Sequence, residues 1–124
     1  MSTALFFFAH GSRDAQWCAP VERIAQRARA EHAGAVRIAF LEHSEPSLAD
    51  ACDAAIAAGA SRIVVVPLFI AAGAHLREDL PRLTAAVARR HPGVELRVAE
   101  AAGEAEIVQQ ALVAFATRAA SIGN

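Results

Sequence analysis

The stretch FFFAHGSRDA, residues 6–15, opens with three phenylalanines and an alanine, then breaks into His10, Gly11, Ser12, Arg13 and Asp14. A short apolar run that stops on a histidine and a glycine reads as a buried strand handing an imidazole to a loop. The run reaches back to Thr3, so the first strand is expected over residues 3–9, with a helix beginning soon after.

The alternation continues downstream. Residues 35–41 (AVRIAFL), 62–69 (RIVVVPLF) and 94–99 (VELRVA) read as further strands. Between and after them, apolar residues recur every three or four positions: Val21, Ile24 and Ala28; Leu48, Cys52 and Ile56; Leu80, Leu83 and Val87; Val108, Ala111, Leu112 and Phe115. That is the period of helices with one face turned to a core. Gly34, Gly59 and Gly93 fall just past helical stripes, where a C-cap or turn is wanted, and Pro46 falls where a helix would start. Pro67 is expected to break the ladder near the end of the third strand. His32 and His91 sit near the last helical turns, where an imidazolium favours the helix dipole.

Repeated β-α units imply an α/β fold: a four-stranded parallel sheet with helices on both faces and right-handed crossovers, a three-layer, flavodoxin-like arrangement. The most economical strand order is 2-1-3-4, in which the winding reverses between the first and third strands. Ligands of such sheets bind outside the carboxyl ends of the strands at that switch point. His10 follows the first strand, Glu42 the second, and His75 lies beyond the third, in VVPLFIAAGAHLRED (residues 65–79). Two imidazoles and a carboxylate suit a divalent metal of intermediate softness, such as cobalt, nickel, iron or zinc. Glu45 is an alternative carboxylate. His43 is an alternative imidazole, although a persisting strand would turn it to the side opposite Glu42.

With 124 residues, 55% hydrophobic content and a net charge of −1, the chain suits one compact domain over residues 1–124. Twelve basic residues against thirteen acidic ones give no electrostatic case for nucleic acid or an anionic membrane. The longest apolar runs, residues 4–9 and 63–72, fall well short of the ~20 residues of a membrane helix. No basic lead precedes the first run, as a signal peptide would require, so the cytoplasm is the expected compartment. Cys18 and Cys52 lack a C-x-x-C spacing and are expected as small core hydrophobes.

Three motifs then converge. HGSRD (10–14), FLEHSEPSL (40–48) and VVVPLFIAAGAHLREDLP (64–81) resemble, in order and spacing, the short form of the CbiX family. These class II chelatases insert a divalent metal into sirohydrochlorin for cobalamin, sirohaem or related tetrapyrroles. The resemblance covers residues 3–83; the last unit is similar only in pattern. It implies that His10 and His75 are the catalytic and metal-binding histidines and that Glu42 adds a carboxylate to the metal site. It further implies Co2+, Fe2+ or Ni2+ as the metal substrate, no organic cofactor, and a homodimer. Leu80 stands where family members commonly carry isoleucine, and the small residues of IAAGAH differ from commoner forms, departures that touch substrate fit and metal preference.

Sirohydrochlorin, the substrate so implied, carries many carboxylates. Ser12 and Arg13, just before the first helix, and Arg77, just past His75, offer a hydroxyl, guanidinium groups and backbone N–H donors for them. Trp17 is expected to pack at the rim. The rival readings are a non-catalytic metal or tetrapyrrole carrier built on the same site, a non-haem iron oxygenase, and a histidine phosphatase, in which an arginine precedes the histidine where this chain has Ala9.

Overall fold

The opening run is strand β1, Thr3–Ala9, and it takes the centre of the sheet because its side chains are apolar on both faces. Ala4, Phe6 and Phe8 point to one side and Leu5, Phe7 and Ala9 to the other. The structure is a computed structural model that describes residues 2–122, apart from the side chain of His75. Among the described residues the chain continues as α1 (Ala15–Glu31), β2 (Val36–Phe40), α2 (Leu48–Ala57), β3 (Arg62–Pro67), α3 (Ala74–Arg90) and β4 (Glu95–Val98). A 3₁₀ turn at Ala102–Glu104 then leads to α4 (Glu106–Ser121). The sheet is parallel with order β2-β1-β3-β4, as expected from the sequence.

Helices α2 and α3 cover one face. Leu48, Ala51, Cys52 and Ala55 of α2 and Leu76, Leu80 and Val87 of α3 close over Phe6, Phe8, Ile63 and Val65. Phe6 and Phe8 are fully buried, and each is worth roughly 1.5–3 kcal/mol in transfer from water. On the other face α1 sets Val21 and Ala25 against Phe7, Ala9, Val36 and Phe40, covering β1 and β2.

The helix ends follow their local chemistry. Asp14 caps α1 by accepting from the Gln16 N–H, and Ser47 caps α2 by accepting from the Asp50 N–H. Gly59 ends α2 at φ +107°, which favours glycine. His32 and His91 close α1 and α3 as C-cap residues, and their rings act as tethers: His32 donates to the Thr3 carbonyl (3.0 Å) and His91 donates to Asp53 (2.8 Å). Cys52 is a buried core residue, its thiol pushed up to about 11 by burial and secondarily by the Asp53 charge.

Asp53 ties α2 to the end of α3, taking bonds from both His91 and Arg90. The hydrogen bond from His91 is the main reason its carboxyl lies below the ordinary aspartate value; it outweighs the upward push of burial, and Arg90 reinforces it. A carboxyl lowered in the folded state stabilises above its unfolded pKa and loses that contribution as pH falls through the folded value. The acid limb of stability, below about pH 4, should therefore flatten in Asp53→Asn relative to the parent. Urea denaturation midpoints between pH 5 and pH 2 check this; equal slopes for the two proteins would contradict it.

Candidate functional site

The ladder between β1 and β2 continues past both strands: the Leu41 N–H donates to the Ala9 carbonyl (2.9 Å) and the Glu42 N–H to the His10 carbonyl (3.0 Å). Glu42 is thus fixed beside His10 by backbone alone. Gly11 makes this possible. It sits at φ +98°, and a Cβ there would lie 1.7 Å from the Glu42 carbonyl oxygen, so only glycine fits. A side-chain clasp closes the corner, with Ser44 Oγ donating to the Ser12 carbonyl (2.8 Å) and accepting from the Ser12 N–H (3.0 Å).

His10 Nε2 lies 3.7 Å from Glu42 Oε1, with both side chains about half exposed. His43 Nε2 lies 3.4 Å from the same oxygen. The position of His43 differs from the sequence expectation. Strand β2 ends at Phe40, and His43 adopts φ +64°, a left-handed turn that swings its ring back to the side of Glu42. A motif in which histidine follows the strand-end glutamate, within a loop already rich in turn formers, was the available signal. Glu45, the alternative carboxylate, lines a groove with Arg29, Arg37 and Asp50 along β2, away from this corner.

His75 is the second residue of α3, reached from β3, the other neighbour of β1. Its side chain lies outside the described residues, and among those described no three His, Cys, Asp or Glu side chains are grouped to hold a metal ion. What the described corner supplies is one carboxylate within reach of two imidazoles, open to solvent. Such donors can offer lone pairs to a divalent ion and accept protons.

The expected substrate residues differ in their freedom. Ser12 Oγ accepts from the Asp14 N–H (3.0 Å), which leaves its hydroxyl hydrogen to donate outward. Arg13 is exposed. Arg77 uses one guanidinium nitrogen on the Ala72 carbonyl (3.0 Å), bracing the loop that leads into α3. The Asp14 cap places a carboxylate at the start of α1, which opposes an anion docking on that helix end.

The CbiX family model matches residues 4–119. A sirohydrochlorin cobaltochelatase of Methanocaldococcus jannaschii is 36% identical over 89 residues, 71% of this chain and 62% of that protein. The alignments span only 57% to 62% of the length of the first curated relatives. A Marinobacter aquaeolei VT8 CbiX protein, named for cobalamin (vitamin B12) biosynthesis, superposes with a TM-score of 0.83 at 34% identity, covering 94% of this chain and 95% of that one. The sirohydrochlorin chelatase of Bacillus subtilis subspecies spizizenii in complex with cobalt superposes with a TM-score of 0.81 at 28% identity, covering 95% of this chain and 51% of that one. The family match runs from the first strand almost to the end of the last helix, and the strand-end motifs fall inside it: this chain belongs to the CbiX family.

Proposed function

We propose that this chain, as a single domain over residues 1–124, inserts a divalent metal ion into sirohydrochlorin. Co2+ is the first choice, and Fe2+ and Ni2+ suit the same donors. The observation that carries the reading is the pairing of His10 with Glu42 at the carboxyl ends of β1 and β2, in a chain of this family. Insertion replaces two pyrrole N–H bonds with metal–nitrogen bonds and releases two protons. His10 and His75 serve as metal ligands and proton acceptors, and Glu42 offsets the charge of the incoming ion. Ser12, Arg13 and Arg77 face the carboxylates of the macrocycle, with Arg77 acting through the nitrogens not committed to Ala72.

Metal and macrocycle are both substrates here, and the proton transfers call for no organic cofactor. The reaction fits a homodimer in the cytoplasm, and no described helix is long and apolar enough to cross a membrane. A carrier would use the same donors, so turnover is the discriminating readout. With sirohydrochlorin and Co2+ both in large excess over protein under anaerobic conditions, the metallation spectrum should develop through many equivalents, at a rate proportional to protein. A change that stops at one equivalent per chain would make the protein a carrier.

A further inference from the structure

His43 is the imidazole of this corner that the reaction assigned above leaves unused. It stands in the loop after β2, the edge strand, one strand further from β3 and α3 than His10. Its φ of +64° is the only positive value outside glycine among the described residues. Glycine or asparagine takes that conformation more easily, so the loop carries an imidazole where its backbone favours a smaller residue.

The turn is what brings the ring to Glu42. A persisting strand would face it the other way; instead Nε2 lies 3.4 Å from Glu42 Oε1. Among the described residues the ring has no other polar partner, and its side chain is 40% exposed. It is therefore not a structural tether of the kind His32 and His91 provide at 3.0 and 2.8 Å. Both chain neighbours of His43 are anchored. The Glu42 N–H donates to the His10 carbonyl (3.0 Å), and Ser44 Oγ is bonded to the backbone of Ser12 and lies 3.8 Å from Cys18 Sγ.

The spacing is that of two ligands on one ion. Nitrogen and oxygen donors bound at about 2.1 Å in a tetrahedral shell lie about 3.4 Å apart, the separation of His43 Nε2 from Glu42 Oε1. The same oxygen is 3.7 Å from His10 Nε2. Among the described residues these three side chains do not gather round a single point, so the two imidazoles mark two neighbouring positions with the carboxylate between them.

We propose that Glu42 and His43 form a separate docking station for the hydrated divalent ion, which then passes to His10 and His75 without leaving Glu42. At the station the ion exchanges two of its waters for His43 Nε2 and a Glu42 oxygen. In the transfer His10 replaces His43, one neutral nitrogen donor for another, and the carboxylate stays bound throughout; no electron moves. Shedding water in stages avoids bringing a bare charge into the corner. The inference rests on the reading of His10, Glu42 and His75 as the insertion site.

His43→Gly tests it, because glycine suits this φ and only the ring is removed. With sirohydrochlorin saturating, the KM for Co2+ should rise about ten-fold while kcat stays within about twofold, with the melting temperature and the KM for sirohydrochlorin as in the wild type. A residue that merely shaped the loop would be replaced by glycine with no change in the KM for Co2+. A second readout needs no turnover. In the His10→Ala, His75→Ala double variant, sub-stoichiometric Co2+ should still broaden one histidine ring signal in the proton NMR spectrum ahead of those of His32 and His91, and adding His43→Gly should remove that signal. If the wild type does not turn over and this broadening is seen, the insertion reading falls and the docking site stands. An unchanged KM for Co2+ in His43→Gly, or a His43 signal indifferent to Co2+ in the double variant, would overturn the station.

Discussion

Alanine at Gly11 is expected to cost about 3 kcal/mol or more and to abolish metallation, although it adds one methyl group to a loop. Two effects combine. The residue sits at φ +98°, where an L side chain is strained, and the added Cβ would lie 1.7 Å from the carbonyl oxygen of Glu42. That oxygen belongs to the backbone just past β2, pinned by the Leu41 and Glu42 ladder bonds, so it cannot yield as a flexible side chain would. Relief requires β1 and β2 to part at their carboxyl ends, which separates His10 from Glu42. In a domain of this size the stability loss reads as a melting temperature lower by about 10 °C or more. Gly93 is the control: it has no positive φ and nothing within 4 Å of a built Cβ, so Gly93→Ala should leave both melting temperature and rate near wild type. Equal behaviour of the two variants would contradict the role given to Gly11.

The second large effect is on metal binding rather than stability. Replacing His10 and His75 together by alanine should weaken Co2+ binding at least 100-fold, read from the visible absorption of the bound ion during titration, since two of the proposed nitrogen ligands disappear. His10 carries little of the fold. Its side chain is about half exposed, and Glu42 is held beside it by backbone bonds that alanine preserves. His10→Ala alone should therefore melt within a few degrees of the parent. Unchanged cobalt affinity in the double variant would remove both histidines from the site.

Much of this architecture was legible in local pattern. The run from Thr3 to Ala9 has apolar side chains on both faces, which only a central strand of a covered sheet accommodates, and its observed ends match those expected. The later strands are each two residues shorter than their apolar runs; β2 stops before the chain bends at His43, and β3 stops at Pro67. Two features were beyond periodicity. His43 turns to the Glu42 side through a left-handed φ, and alternation predicts a side only while a strand persists. The stripe of α4 has helical period, but period alone does not decide whether a face is covered: Leu112 and Phe115 stay exposed, where the sequence pattern sets them against a core. The placement of His10 and Glu42 at adjacent strand ends followed from topology, whereas their separation depended on Gly11 and the Ser12–Ser44 clasp, contacts between loops distant in sequence.

The central claim is that this strand-end corner performs metal insertion, and its most direct test is a single comparison of rates. Sirohydrochlorin and Co2+ are mixed anaerobically with catalytic amounts of wild type or His10→Ala, and the absorbance change of metallation is followed. The expected result is a wild-type rate well above the protein-free reaction and a loss of about 100-fold or more in the variant. A variant as fast as wild type, or a wild type no faster than the protein-free mixture, would contradict the account.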